Sequence, residues 1–249
     1  MTRLLRADFA RLFGSRLFMF CFCSMLVPAV LTVCVFGILD KEAEFDFLTD
    51  NILFAGTSYI GIVIAVLTGF FIGADHSSGA IRNKLSVGHS RAAIYFSNLI
   101  ICVSASLIMH ITWLAVPIFS EAVGIIRKFE MPADKIALEV FASVLAVSAL
   151  AAIFLPICML IPSKSVGAVS AVVLSFVMLF VTQDLDGTPW YDVIPTCQLM
   201  QLTENRMQFN EHYYIWLPDN INMFPFYSLL IIIITTAAGV LIFRRKDLK

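Results

Sequence analysis

The sequence predicts an all-α membrane protein in which six transmembrane helices form a single domain over residues 1–249. Hydrophobic residues make up 59% of the chain and charged residues only 14%, whereas a soluble domain carries about 25% charged residues. The mean hydropathy is +0.88. A net charge of −1 leaves no basic excess for binding nucleic acid, so the expected surroundings are a lipid bilayer.

The few charged residues leave six long gaps, and each gap is long enough to cross a hydrocarbon core of about 30 Å as a helix. Helices are the expected spanning elements because lipid offers no hydrogen-bond partner to backbone amides. The predicted spans cover residues 17–39, 52–74, 94–119, 137–161, 165–182 and 224–243.

The distribution of Lys and Arg predicts the topology. Twelve of the 17 basic residues lie before the first span, between spans two and three, between spans four and five, or after span six. Only three of the 18 acidic residues share that side, namely Asp8, Asp75 and Asp247. The positive-inside rule therefore predicts that both termini face the cytoplasm.

Residues 1–16 are predicted to form an interfacial helix that lies on the inner leaflet. Its apolar face is expected to contain Leu5, Phe9, Leu12 and Phe13, and its basic face Arg3, Arg6 and Arg11. Such a helix places its arginines near anionic headgroups. The alternative is an ordinary basic flank of the first span.

The segment between spans two and three, residues 75–91, is too polar to cross a membrane. Ile81 and Leu85 lie four residues apart, which predicts a short amphipathic helix with Arg82 and Lys84 pointing elsewhere. Gly79 and Gly88 bracket this helix as turn or hinge residues. It is either a docking element for a cytosolic partner or a plain inner loop.

Two features inside the spans stand out. Small residues recur every fourth position in span two, which predicts a face for close helix packing; they are Gly61, Ala65, Gly69 and Gly73. His110 lies near the middle of span three. It is a candidate polar contact for cargo in a pathway, and the alternative is a neutral histidine bonded to a neighbouring helix.

The long outer segment Asp184–Asp219 is rich in aromatic residues, which we interpret as anchors at the membrane interface; they are Trp190, Tyr191, Tyr213, Tyr214 and Trp216. A substrate gate is the alternative. The apolar residues between Val193 and Leu202 predict a short helix dipping back at the outer rim.

Motifs for autonomous chemistry are missing from the sequence. No lysine follows a glycine, so the chain has no Walker A phosphate loop, and it has neither an HExxH nor a GxSxG motif. Buried charges that drive secondary transporters are also scarce. We therefore expect that the chain is not an enzyme by itself, binds no cofactor, and takes its energy from outside the membrane domain.

Two segments together resemble the ABC-2-type permeases of bacterial ABC exporters. TRLLRADFARLFGSR at residues 2–16 is similar to the family's N-terminal elbow helix, and DHSSGAIRNKLSVGHSR at 75–91 is similar to its loop after the second span. The residues that match the loop pattern are Gly79, Ile81, Arg82, Asn83, Lys84, Leu85, Gly88, Ser90 and Arg91. Asp75 stands where Glu is commoner, and Ala80 replaces the usual Thr.

The resemblance implies a membrane permease subunit that exports an amphipathic peptide, drug or lipid across the bacterial cytoplasmic membrane, in some members as self-protection against antimicrobial peptides. It implies a second permease subunit, alike or different, and a cytosolic ATP-binding subunit that holds ATP and Mg²⁺. Residues 75–91 would form the coupling helix, with Asp75, Gly79, Ile81, Arg82, Lys84, Leu85, Gly88 and Arg91 as coupling residues. The alternative is a stand-alone channel or sensor subunit that transports nothing by itself.

Overall fold

A computed structural model describes residues 2–42, 50–126, 128–129, 131–185, 188–204 and 220–245. Throughout these ranges the regular structure is helical. The helices are α1 Thr2–Phe13, α2 Arg16–Glu42, α3 Asp50–Phe54, α4 Thr57–Ser77, α5 Ala80–Ser86, α6 Arg91–Ala122, α7 Ala133–Leu160, α8 Lys164–Leu185, α9 Pro195–Glu204 and α10 Phe224–Arg245, with a short 3₁₀ helix at Ile221–Met223 before α10.

Six helical segments in the described ranges are long and apolar enough to cross a membrane. They are Arg16–Gly37, Ile52–Ser77, Arg91–Ala122, Ala133–Leu160, Lys164–Thr182 and Ile221–Arg245. The predicted all-α class and the six helices of spanning length are confirmed, and each predicted span overlaps one of these segments. Helices α6 and α7 are longer than predicted, at 32 and 28 residues, because Arg91 and Asp134 lie within helical first turns rather than in loops.

Helices α4 and α7 form the centre of the bundle. Helix α7 packs against α4, α6 and α10, and α4 packs against α7 and α8. Large side chains from both central helices are fully buried, including Ile64 and Phe154. Helices α2, α8 and α10 contribute most of the exposed apolar surface, as expected for helices that contact lipid.

The small residues of α4 form part of its contact with α8. A Cβ atom added at Gly69 would lie 2.5 Å from Ala168 Cα, and one at Gly73 would lie 2.8 Å from Lys164 Cα. Ala65 is fully buried, and Gly61 faces the Ser175 hydroxyl and Leu150. The backbones of α4 and α8 can approach this closely because these positions have little or no side chain.

The apolar segment predicted to dip back at the outer rim forms α9, although the helix begins at Pro195 rather than Val193. Its backbone contacts α4 at Thr57, whose Oγ1 lies 3.0 Å from the Leu199 carbonyl oxygen and 2.6 Å from the Phe54 carbonyl oxygen. Ser228 Oγ of α10 donates to Gln198 Oε1 at 2.8 Å. Trp190 is 65% exposed, but Tyr213, Tyr214 and Trp216 lie outside the described residues, so interface anchoring by this segment stays a prediction.

Gly69→Ala is expected to destabilise the protein by about 1–3 kcal/mol, because the new methyl group meets α8 backbone that cannot rotate away. Gly61→Ala is the matched control, since its new Cβ would lie 3.3 Å from a serine hydroxyl that can change rotamer. Unfolding of the purified protein can be followed with a thiol-reactive dye as the buried cysteines, such as Cys102 and Cys158, become exposed. Equal unfolding midpoints for the two variants would contradict this account of the α4–α8 contact.

Candidate functional site

Four charged side chains lie close together at the end of the bundle where α1 and α5 are located. Asp8 and Arg11 come from α1, Asp75 from the last turns of α4, and Lys84 from α5. Asp8 and Asp75 are 2% and 0% exposed, which is rare for carboxylates unless they are paired. Two carboxylates face two cations, so the cluster is formally neutral.

Lys84 connects the cluster. Its ammonium group donates to Asp8 Oδ1 at 2.8 Å and to Asp75 Oδ2 at 3.4 Å. Ser97 Oγ of α6 donates to the other oxygen of Asp8 at 2.8 Å. Arg11 Nη1 donates to Asp75 Oδ1. The cluster therefore joins α1, α4, α5 and α6, which are four separate elements of the chain.

Burial opposes the charge on both cations. It lowers the pKa of Lys84, and the hydrogen bond that Lys84 donates to Asp8 acts in the opposite direction. Burial likewise lowers the pKa of Arg11, against the attraction of Asp8. The Arg11 guanidinium also lies over the Phe71 ring, 4.2 Å from its centroid, which adds a cation–π contact. Each charge thus depends on its neighbours to remain stable in a site with little water.

Helix α5 has one inward and one outward face. Ile81 is 2% exposed and Leu85 packs against the apolar core, in agreement with the expected apolar face. Lys84 departs from expectation, because it lies on the inward side with Ile81 and Leu85. The reason is helical spacing, since residues 81, 84 and 85 are related as i, i+3 and i+4. Arg82 is exposed.

Two glycines delimit α5. Gly79 has φ +70° and Gly88 has φ +95°, so both occupy the left-handed region that glycine adopts without a steric penalty. The predicted role as turn residues agrees with this backbone. Between them the exposed side includes Val87, an apolar residue that is 78% exposed and that the sequence interpretation overlooked.

Arg91 lies at the start of α6, where it bonds to the end of α10. Its guanidinium donates to the carbonyl oxygens of Phe243 at 3.3 Å and Arg244 at 3.0 Å. A cation at a helix C-terminus satisfies free carbonyls and is favoured by the helix dipole. Arg91 therefore ties the start of α6 to the end of α10, so α1, α5 and the end of α10 lie at one end of the bundle.

The expected faces of α1 differ from the observed ones. The buried face contains Leu4, Asp8 and Leu12, at i, i+4 and i+8, whereas Phe13 is 54% exposed. Arg11 turns inward to Asp75 instead of pointing away with Arg6. Asp8 was missed because a carboxylate between two leucines is not expected on a buried face. The sequence feature that indicated its burial is the i, i+4, i+8 spacing of Leu4, Asp8 and Leu12.

His110 is 1% exposed, and its Nε2 lies 2.8 Å from Ser143 Oγ of α7. The Ser143 hydroxyl also lies 2.8 Å from the Val140 carbonyl, and the histidine can bond to Ser143 as donor or as acceptor according to its tautomer. This geometry agrees with the interpretation of a histidine bonded to a neighbouring helix, and a contact with cargo stays a prediction.

Within the described ranges, no three His, Cys, Asp or Glu side chains gather closely enough to hold a metal ion. No family model matches the sequence, and none of the curated proteins shows significant similarity to it. The charge cluster and the outward face of α5 are therefore the features from which a function can be argued.

Lys84→Met is expected to lower the free energy of unfolding by about 3–5 kcal/mol, because it leaves two buried carboxylates with one remaining cation. Arg82→Met removes a charge from the exposed side of the same helix and is expected to change stability by no more than about 0.5 kcal/mol. Unfolding titrations of the two purified variants against the natural protein measure this difference.

A second substitution tests whether the charges act together. Asp8→Asn added to Lys84→Met removes one negative charge and leaves Arg11 paired with Asp75. The double variant is expected to be more stable than Lys84→Met alone, since coupled residues do not contribute additively. Asp8→Asn alone completes the comparison, and a double variant whose loss of stability equals the sum of the two single losses would contradict a coupled cluster.

Proposed function

We propose that this chain is the membrane permease subunit of an ATP-driven exporter in a bacterial cytoplasmic membrane. The cargo is an amphipathic peptide, drug or lipid, and a separate cytosolic subunit binds and hydrolyses ATP with Mg²⁺. A second permease subunit, alike or different, completes the membrane part. Both termini face the cytoplasm, α1 is the elbow helix, and α5 is the coupling helix that contacts the ATP-binding subunit.

The observation that supports this proposal is the packing of α5 against the bundle. The side chains of Ile81, Lys84 and Leu85 hold its inner face, which leaves Arg82 and Val87 exposed for a partner. An apolar tip next to a cation suits a groove on another protein, where a desolvated apolar contact provides affinity and the charge provides orientation.

The charge cluster connects α5, where such a partner would bind, to the membrane-spanning helices, so it can transmit a movement of α5 to them. Because Lys84 bonds to both Asp8 and Asp75, a displacement of α5 is transmitted to α1 and α4 as well as to the adjoining α6. Short packed elements transmit rigid-body movements because a close-packed interior does not deform continuously. In this role Asp75, Ile81, Lys84 and Leu85 are positioning residues, and Arg82 and Val87 contact the partner.

The topology is tested by cysteine labelling in intact cells. A cysteine at Val87 is expected to resist a membrane-impermeant maleimide until the cells are opened, because α5 faces the cytoplasm. A cysteine at Lys128, which is exposed in the segment between α6 and α7, is expected to react from outside. The reverse labelling pattern would overturn both the topology and the proposed role of α5.

Val87→Asp tests the contact itself. The substitution is expected to remove most of the ATP-binding subunit that co-purifies with the chain and to abolish cargo-stimulated ATP hydrolysis, because a carboxylate at the apolar tip must be desolvated on docking. The unfolding midpoint is expected to stay unchanged, since Val87 is 78% exposed.

Lys128→Glu is the control for this experiment, because it changes an exposed charge between α6 and α7 and is expected to leave the complex intact. Retention of the ATP-binding subunit by Val87→Asp would exclude α5 as the contact. Cargo movement by the purified chain without nucleotide or partner would favour a stand-alone channel instead.

A further inference from the structure

An apolar groove lies between α2 and α6, in the half of the bundle away from α1. It has a volume of about 490 Å³, which is within the range of about 300–1,000 Å³ typical of ligand pockets. Its walls are side chains of α2 between Leu26 and Cys34 and of α6 between Ile111 and Ser120. Neither the charge cluster nor α5 contributes to it.

The groove offers no free hydrogen-bond donor from its two hydroxyl groups. Thr112 Oγ1 donates to the Ile108 carbonyl at 2.7 Å, and Ser120 Oγ donates to the Val116 carbonyl at 2.8 Å. Both hydroxyls are therefore used within α6. A polar ligand would lose its hydrogen bonds to water here without replacement, whereas a hydrocarbon chain would lose none.

The groove runs along α6 from Ile111 to Ser120, a stretch that rises about 14 Å at 1.5 Å per residue. A volume of about 490 Å³ over that length forms a narrow slot between two helices. A slot of this shape accommodates an extended hydrocarbon chain.

The groove is closed at its far end and open at its side. Gly37 of α2 lets the turn after α6 approach, since an added Cβ would lie 3.1 Å from the Ile125 carbonyl oxygen. Along the side, Ile111 is 54% exposed and Phe119 is 67% exposed. This opening is continuous with the exposed apolar surface of α2 and α6, which is the surface that contacts lipid in a membrane.

We propose that this groove binds one acyl chain of a phospholipid from the leaflet that faces away from α1. Lipid tails are as apolar as the groove, so the hydrophobic effect contributes little to this binding. The chain is held by dispersion contacts with walls that would otherwise line a void. The site recognises the hydrocarbon chain rather than a headgroup, and it requires neither ATP nor a partner subunit.

The test uses the full chain in phosphatidylglycerol nanodiscs that contain a lipid with a photoactivatable group in the middle of its acyl chain. After illumination, mass spectrometry is expected to find adducts concentrated on groove residues such as Cys34 and Ile111, compared with the exposed face of α10. Ala115→Phe fills the groove and is expected to lose most of these adducts. Ala238→Phe, at an exposed alanine of α10, is expected to retain them.

A second measurement is independent of how well Ala115→Phe folds. Cys34 lines the groove, while Cys23 is exposed on the same helix outside it. In nanodiscs the lipid chain is expected to slow alkylation of Cys34 by an apolar maleimide relative to Cys23. Evenly distributed adducts, equal alkylation in nanodiscs, or an oxidative Cys34 link between two copies would overturn the proposal.

Discussion

The constraint on which this end of the molecule depends is the burial of two carboxylates, Asp8 and Asp75, together with Lys84 and the partly exposed Arg11 as their counter-charges. Asp8, Arg11, Asp75 and Lys84 lie where each is costly alone and acceptable only with the others. Neutrality therefore requires α1, α4 and α5 to hold one arrangement together. A surface ion pair would be worth little and would leave the helices free to move independently. Burial is what turns these contacts into a mechanical link between elements that are distant in sequence.

The central helices supply the stiffness that such a link requires. Where α4 meets α8, Gly69 and Gly73 bring backbones rather than side chains into contact, so little room is left for one helix to slide past the other. Asp75 lies two residues after Gly73, in the last turns of the same helix and on its other side, where it bonds to Arg11 and Lys84. A force applied to α5 therefore meets a rigid element at Asp75, and the proposed coupling depends on rigidity in α4 as much as on the contact surface of α5.

The two ends of the bundle follow different physical rules. At the α1 end, charges are paired because desolvation makes an unpaired charge unstable. In the opposite half, the groove between α2 and α6 contains satisfied hydroxyls and apolar walls, so contact there is decided by shape. The end with the paired charges is the one proposed to contact the cytosolic ATP-binding subunit. The apolar groove in the opposite half is proposed to bind a lipid chain.

Composition and charge spacing alone determined the helical class, the six long apolar helices and the amphipathic spacing of Ile81 and Leu85, because lipid permits few backbone solutions and charge is excluded from them. Only the tertiary structure decided that Lys84 and Arg11 turn inward and that Asp8 is buried. Their partners are distant in sequence, since Lys84 and Asp8 are 76 positions apart. From the sequence alone, a charged residue on a helix is expected to be exposed. Only the tertiary structure shows that an opposite charge lies next to it.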